Sequence, residues 1–552
     1  NLEEGSTFSG NNTVLNLINR GIVAPGNSIG QIQVRNIFNN TGGIYQCEVN
    51  DAGQSDLIRV IGAASTTTLH GTLQVIPMAG NYQLNQPYIY TILTSVNPIN
   101  TTFDTVNGVS PLFAYNVIYN PNNVQLRMIR TSTLNQVITE GNAGIVSQNL
   151  ENIGTLTGTL QTATNSLMGF NKNQIIDALN RFNTASNTLL ADNLADNFFD
   201  LGNTLSHMLH SPLERSAAHS SFKELVKSVS SNFKGTMAQL FSSSVKRSSM
   251  NQTTKSSSQQ VPHSFRSKIG QSTVWSYSDA KVLNQKSYTS PGTYLPALKS
   301  TMGETKLGFD HQFTDQILVG FMAGYGNTSY KLSDQYGSGK INSYHVGSYS
   351  SVHITPEFYI DTLVSYGMNN LKGTRKINFS GFEAEASQKH HAHQFGGMID
   401  TGYEIYLPSN FSITPMAGIG VLSLKEEGYR EIGADTLGLN VRRQRRTYIQ
   451  HKFGAQLAKH FILDEMQFYG FIRGAYTYRK GLKNSHRVTS SFIGQLPSFT
   501  VFGDKKNHSF FSPGAGLTAL FKNDVYISIG YNGDLGKKQK SHEGFFKIGY
   551  KF

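Results

Sequence analysis

Three short stretches of this chain carry residue types that could do chemistry. In PGNSIG (25–30), Ser28 stands between two glycines, the way a nucleophile is presented on a tight turn. A serine nucleophile needs a histidine base, a carboxylate to orient it and a glycine-rich oxyanion neighbourhood. No such context follows Ser28, so a plain turn is the expectation, and the chain is not expected to be an enzyme. In KHHAHQ (389–394), His390, His391 and His393 are zinc-binding side chains at close spacing. On a strand only His391 and His393 share a face, so a solvated rim is expected and no metal or other cofactor. RRQRR (442–446) is the kind of run that binds nucleic acid or heparin. It directly precedes a predicted strand, where it would form an electrostatic rim, and no nucleic-acid partner is expected.

The elements that carry these residues are best read from the end of the chain, FFKIGYKF (545–552). A period of two puts Phe546, Ile548, Tyr550 and Phe552 on one face of a strand and Phe545, Lys547, Gly549 and Lys551 on the other. A soluble sandwich would bury the apolar face, whereas a transmembrane barrel would show it to lipid. The neighbouring segments repeat the pattern. QILVGFMAGYG sets Ile317, Val319, Phe321, Ala323 and Tyr325 against Leu318, Gly320, Met322, Gly324 and Gly326, and EFYIDTLVSYG sets Phe358, Ile360, Val364 and Tyr366 against Asp361, Ser365 and Gly367. Glycine, serine and carboxylates on the second face suit a watery lumen better than a dry core. Twelve such strands are counted from about 268–283 to 542–552, an even number, as a barrel with both ends on one side requires.

Composition agrees with a β-rich chain: 552 residues with 53 Gly, 15 Pro and one Trp. No run approaches 18 apolar residues, so any membrane span must be a barrel. A single cysteine, Cys47, excludes internal disulfides and cysteine-rich zinc sites. The first residue is Asn rather than Met, which leads to the expectation that the natural chain continues upstream, so a missing targeting segment says nothing of location.

Charge divides the chain into three. Residues 1–212 hold 7 basic and 12 acidic side chains (net −5), 213–268 hold 9 and 2 (net +7), and 269–552 hold 31 and 21 (net +10). Short β segments between Gly, Asn and Pro turns fill 1–130 at roughly the spacing of one solenoid rung. Their expected core is Ile29, Ile32, Val34, Ile44, Leu57, Ile58, Leu73, Val75 and Ile92. Apolar residues at three and four mark 173–210 as amphipathic helix. The following SSSVKRSSMNQTTKSSSQQ is a basic, Ser-rich linker with too little apolar surface to fold alone.

GIVAPGNSIGQIQV (21–34), GGIYQCEVNDAGQSDLIRVIGAA (42–64) and GTLQVIPMAGNYQLNQPYIYTILT (71–94) resemble the end of an autotransporter passenger, while LSLKEEGYREIGADTLGLNV (422–441), YISIGYNGDLGKKQKSHEGFFKIGYKF (526–552) and the terminal Phe552 resemble the translocator barrel of that type V secretion family of Gram-negative bacteria. The resemblance implies a mostly β fold: a short right-handed parallel β-helix, autochaperone-like, at 1–130; a helical connector and linker at 131–268; and a twelve-stranded antiparallel transmembrane β-barrel at 269–552. It implies an outer-membrane translocator and anchor that exports its own N-terminal passenger and is then plugged by its linker. Implied partners are outer-membrane lipid and lipopolysaccharide, the barrel-assembly machinery, periplasmic chaperones and, earlier in export, the Sec translocon. The assembly signal would be Phe546, Ile548, Tyr550 and Phe552. A plain porin, or a fragment of an adhesin or passenger enzyme whose active part lies upstream, is the alternative. Strand alternation assigns Glu304, Asp310, Asp361, Asp400 and Glu404 to the lumen, and the charge split predicts that the basic linker residues Lys234, Lys246, Arg247, Lys255, Arg266 and Lys268 lie against them. The strongest helical signal lies well upstream of the first strand, which leaves open which helix fills the pore.

Overall fold

The computed structural model describes residues 1–209, 270–463, 466–482, 485–505 and 507–552. Its C-terminal half is a closed antiparallel barrel of twelve strands: β1 (Ser272–Gln285), β2 (Leu298–Gln312), β3 (Ile317–Leu332), β4 (Gly337–His353), β5 (Phe358–Lys376), β6 (Glu385–Tyr403), β7 (Phe411–Glu426), β8 (Gln444–Leu463), β9 (Met466–Gly481), β10 (Asn507–Leu520), β11 (Val525–Gly536) and β12 (Gln539–Lys551). The sheet closes where β1 pairs with β12, from Thr273 opposite Lys551 to Gln285 opposite Gln539. Closure removes the sheet's free edges, whose unpaired N–H and C=O groups could not be satisfied in hydrocarbon.

Side chains alternate outward and inward along every strand. Phe321, Phe395 and Ile472 are 62%, 60% and 61% exposed on the outer face, where a soluble fold would not leave large apolar residues in a continuous band. Lys306, Lys452, Arg479 and Lys547 turn inward and are buried. Connections at one barrel end are short, 464–465 and 521–524 among them, whereas at the other end they extend to 427–443 and 482–506. The long loops carry a sheet of their own, four antiparallel strands at Tyr429–Arg430, Leu439–Val441, Arg487–Phe492 and Phe499–Phe502, which the sequence reading did not foresee.

Before the barrel, the chain passes back and forth between two sheets. Thr7–Gly10, Ile22–Pro25, Ile44–Val49, Thr72–Pro77 and Thr105–Gly108 pair in parallel in one. Asn12–Ile18, Gln31–Asn39, Leu57–Val60 and Pro87–Ser95 pair in parallel in the other, which the hairpin of Phe113–Asn120 and Asn123–Arg130 extends antiparallel. Six of the nine expected core residues, Ile32, Val34, Ile58, Leu73, Val75 and Ile92, are buried between these sheets. Ile29, Ile44 and Leu57 are only half-buried. Alternation turns Tyr45 inward in place of Ile44 and Ile58 in place of Leu57.

Among the described residues five α-helices follow: α1 (Leu134–Val137), α2 (Gly141–Asn152), α3 (Gly158–Ser166), α4 (Lys172–Arg181) and α5 (Asn187–Leu209). The single helical signal at 173–210 is two helices, α4 and α5, separated at 182–186. At the N-terminus of α4, the Asn171 side chain accepts from the Gln174 N–H and the Gln174 side chain accepts from the Asn171 N–H, a reciprocal cap that satisfies two end donors. Helices α2 to α4 sit on the long-loop end of the barrel. Asn142 meets the Phe502 backbone in both directions, donating to its carbonyl at 2.7 Å and accepting from its N–H at 2.9 Å. Arg375 of β5 is paired with Glu431 of a loop and donates to the Arg181 carbonyl at 2.7 Å.

Candidate functional site: the occupied barrel lumen

Helix α5 lies inside the barrel. It runs 23 residues, about 34 Å at 1.5 Å per residue, and its two faces meet two different walls. Asp192, Asp196 and Asp200 recur at every fourth position, which places them on one side of the helix. Phe198 and Phe199 reach the opposite wall, on β6 and β7, which is thinned to receive them. A Cβ on Gly396 would stand 2.4 Å from the Phe198 ring, and one on Gly420 would stand 3.0 Å from that of Phe199. The helix returns the fit at Gly202, against Met398.

The acidic side is held by cations from across the barrel. Arg479 of β9 reaches Asp196 at 3.1 Å, Asp200 at 2.6 Å and Asp534 of β11 at 2.8 Å. Lys281 of β1 pairs with Asp200, and Gln539 of β12 donates to Asp196 at 2.7 Å. Lower down, Lys452 donates to the Asn203 side chain at 3.0 Å while its ammonium also lies 2.9 Å from Asp400. All these groups are buried except Asp200, which is half-buried. Buried charges are tolerable because each has an opposite charge beside it. A pocket between Asp200, Asn203, Lys452, Arg473, Asp534 and Glu543 has about 20 Å³ free for solvent, room for about one water.

The expected lumen carboxylates are distributed as follows. Glu304 pairs with Lys306 at 2.7 Å, and Asp310 accepts from Trp275 at 3.1 Å and Tyr349 at 2.9 Å. Asp361 and Asp400 face each other between β5 and β6. Glu404 is a correction: it follows the last residue of β6, half-buried at the short-turn rim, where the Tyr406 hydroxyl donates to it at 3.1 Å. The strand ends before it, so alternation no longer directs its side chain inward. The six linker residues, Lys234, Lys246, Arg247, Lys255, Arg266 and Lys268, lie outside the described residues. Within the described residues the lumen charges have the reverse arrangement from the one expected: the threading segment is acidic and many of the wall groups that grip it are basic.

Phe546 and Phe552 are exposed on the outer face of β12, with Ile548 and Tyr550 half-buried between them. Ser28 is exposed at a turn in which Gly26 has φ +82°, and among the described residues no histidine or carboxylate hydrogen-bonds to it. His390 is turned inward and stacked on Tyr429 at 4.3 Å. His391 and His393 point outward, toward Asn370 at 2.5 Å and Tyr366 at 2.7 Å. Of RRQRR, Arg446 is buried at the mouth, donating to the Ser485 carbonyl at 2.9 Å, and Arg442, Arg443 and Arg445 are exposed.

Residues 280–532 match the family model "Autotransporter beta-domain". The C-terminal barrel is an autotransporter β-domain. Among curated proteins, outer membrane protein A of Rickettsia rickettsii is 23% identical over 46% of this chain and 11% of its own length, and outer membrane protein B of Rickettsia prowazekii is 23% identical over 45% and 15%. The chain therefore spans a small part of the relatives it matches. The solved β-domain of the Bordetella autotransporter BrkA is 15% identical, with 51% of this chain and 99% of that one covered and a TM-score of 0.39.

An autotransporter β-domain is an outer-membrane translocator, and this one is located in the outer membrane of a Gram-negative bacterium. Its long loops are on the extracellular side, since such barrels keep short turns toward the periplasm. Helix α5 enters this β-domain from the long-loop mouth: its N-terminal Asn187 meets Tyr429, and Asn203 and Thr204 reach Lys452 and Glu543 deeper in the barrel. Sequence reasoning missed the three aspartates and their partners Lys281 and Arg479. The signal was present, as acidic residues at every fourth position of a helix facing basic residues at inward strand positions.

Proposed function

We propose that this chain is the C-terminal part of a self-exporting surface protein. Residues 270–552 form its pore, α5 is the segment of exported chain that stays behind and closes it, and 1–130 are the last coils of a β-helical passenger standing on the 131–186 helical cap. The alternation of strands between two parallel-paired sheets supports the β-helical reading. The observation that carries the proposal is the position of α5: a helix in the lumen, continuous at its outer end with 186 residues beyond the long-loop mouth, so that the chain itself passes through the barrel. A plain porin would have no use for such a segment. No reaction is assigned to these residues.

Planar-bilayer conductance tests the closure. The whole chain should show a low open fraction, and deletion of 187–209 should raise it to a steady open level with insertion unchanged. Equal conductance of both proteins would refute closure by α5. Export is tested separately, by protease access to 1–130 on intact cells.

A further inference from the structure

The outer surface of the β-domain carries a charge arrangement that its fold alone does not account for. Near the long-loop ends of the strands, exposed basic side chains stand directly opposite one another in register: Lys299 with Lys331, Lys340 with Lys372, Lys372 with Lys389, and Lys425 with Arg445. Lys331 faces Ser338, so Lys340 is its diagonal neighbour and the row runs unbroken over five consecutive strands, β2 to β6; Lys425 and Arg445 form a separate pair on β7 and β8, where Lys425 faces His393 rather than Lys389. Opposed residues in a sheet have Cβ atoms about 5 Å apart, and like charges so placed are destabilising.

No carboxylate neutralises the row. Among the described residues none of these seven cations is in an ion pair, and the nearby acids are engaged elsewhere, Glu385 with Lys376 at 3.9 Å and Glu427 with His393 at 3.5 Å. The row also has a fixed height. Along β5, Val364, Tyr366 and Met368 are exposed, followed by Asn370 and then Lys372; along β3, Phe321 and Tyr325 precede Asn327, Ser329 and Lys331. The cations thus lie above the apolar band and its aromatic edge, at the level of lipid headgroups. At the other rim the exposed charges are mixed, with Asp315, Lys459 and Lys522.

We propose that this row is a docking belt for the phosphate groups of a phosphorylated glycolipid in the outer leaflet. A phosphate between two opposed lysines would satisfy both and turn a repulsive pair into a bridge. The proposal rests on the reading that the long-loop end faces outward. The test uses the full chain, purified in detergent micelles and titrated with bisphosphorylated lipid A, with the same lipid after removal of both phosphates, with phosphatidylglycerol and with inorganic phosphate alone. The bisphosphorylated lipid should bind best. The triple variant Lys340→Gln, Lys372→Gln, Lys389→Gln should bind it roughly a hundredfold more weakly, at about fivefold per lysine. The pair Lys459→Gln, Lys522→Gln on the opposite rim should bind as the parent does. Heat-modifiable gel mobility confirms that each variant is folded, and Lys372→Gln alone, expected to lose about fivefold, serves if the triple variant is not. Unchanged affinity of the folded variants, equal binding of the dephosphorylated lipid or phosphatidylglycerol, or equal occupancy by inorganic phosphate would overturn the proposal. Passenger export would be unaffected by such a failure, which separates it from failure of the translocator reading.

Discussion

Arg479 concentrates the electrostatics of the plug in one side chain. It is 1% exposed and faces three carboxylates, two on α5 and one on β11. Arg479→Met keeps much of the volume but leaves those carboxylates without their shared cation, which at a buried site costs about 3–5 kcal/mol. The expected outcome is a large rise in the open fraction in planar bilayers, partly reversed by adding Asp200→Asn. A second residue makes the N-terminal coils sensitive to pH. Burial pushes the Asp56 carboxyl up to about 7, against the pull of N–H bonds from Glu48 and Gly30. The folded state therefore binds the extra proton between roughly 4 and about 7, while an unfolded aspartate has already lost it. Stability of the N-terminal coils should fall as pH rises through that window, by up to about 1.4 kcal/mol per pH unit, and level off above it. Protease resistance of 1–130 at pH 4.5 and 7.5 reports this, and Asp56→Asn should flatten the difference. Single residues were unevenly legible in the sequence. Glu304 and Asp400 followed from a period of two, and Glu304 meets Lys306 two residues along its own strand, but pairing Asp400 with Lys452 two strands away required the order of strands in the sheet rather than local pattern.

At the scale of elements, the wall that receives α5 depends on what is missing from it. Gly396→Leu would drive a side chain into the space of the Phe198 ring and toward the Val421 carbonyl. The barrel should still fold, with normal heat-modifiable mobility, but without its helix seated, so that 187–209 becomes cleavable by protease in detergent. The closing strand makes the opposite demand. Phe552 exchanges backbone hydrogen bonds with Ser272 at 2.9 Å in both directions and is 58% exposed on the lipid side. Phe552→Asp puts a charge there, at a cost below the roughly 2–4 kcal/mol of the membrane midplane, and should lower the yield of folded barrel far more than Lys540→Gln on the same strand. Lys551 would not be a mild comparison, because it is 1% exposed inside the barrel. Strands such as β3 and β5 were legible because lipid enforces an apolar residue at every second position over a dozen residues or more. The loop sheet was not, since strands as short as Tyr429–Arg430 carry no period. The break between α4 and α5 was hidden because the buried Phe182 and Ala185 keep the three- and four-residue spacing of Leu179 and Leu189 across it.

Across the whole molecule, one apolar cluster joins parts that are far apart in sequence. Leu73 and Val75 of the coils, Val146, Leu160 and Leu179 of the cap, and Leu437, Phe492 and Val501 of the loops belong to it. Residues 1–186 and the long loops should therefore unfold together. Phe492→Asp, at a fully buried loop position, should make 1–186 protease-sensitive while the barrel keeps its mobility on gels; resistance retained would show that the coils stand without the loops. This continuity, combined with the seat of α5 inside the lumen, also fixes an order in time. A helix is about 10–12 Å across, so a body of 186 folded residues cannot slip through a space that one helix occupies. Nor can α5 be inserted sideways once Thr273 has met Lys551 along the seam. Either the barrel closes around a chain already lying inside it, or residues 1–186 cross before they have any tertiary structure. In the second history the coils, although made before the barrel, acquire their final shape after crossing it.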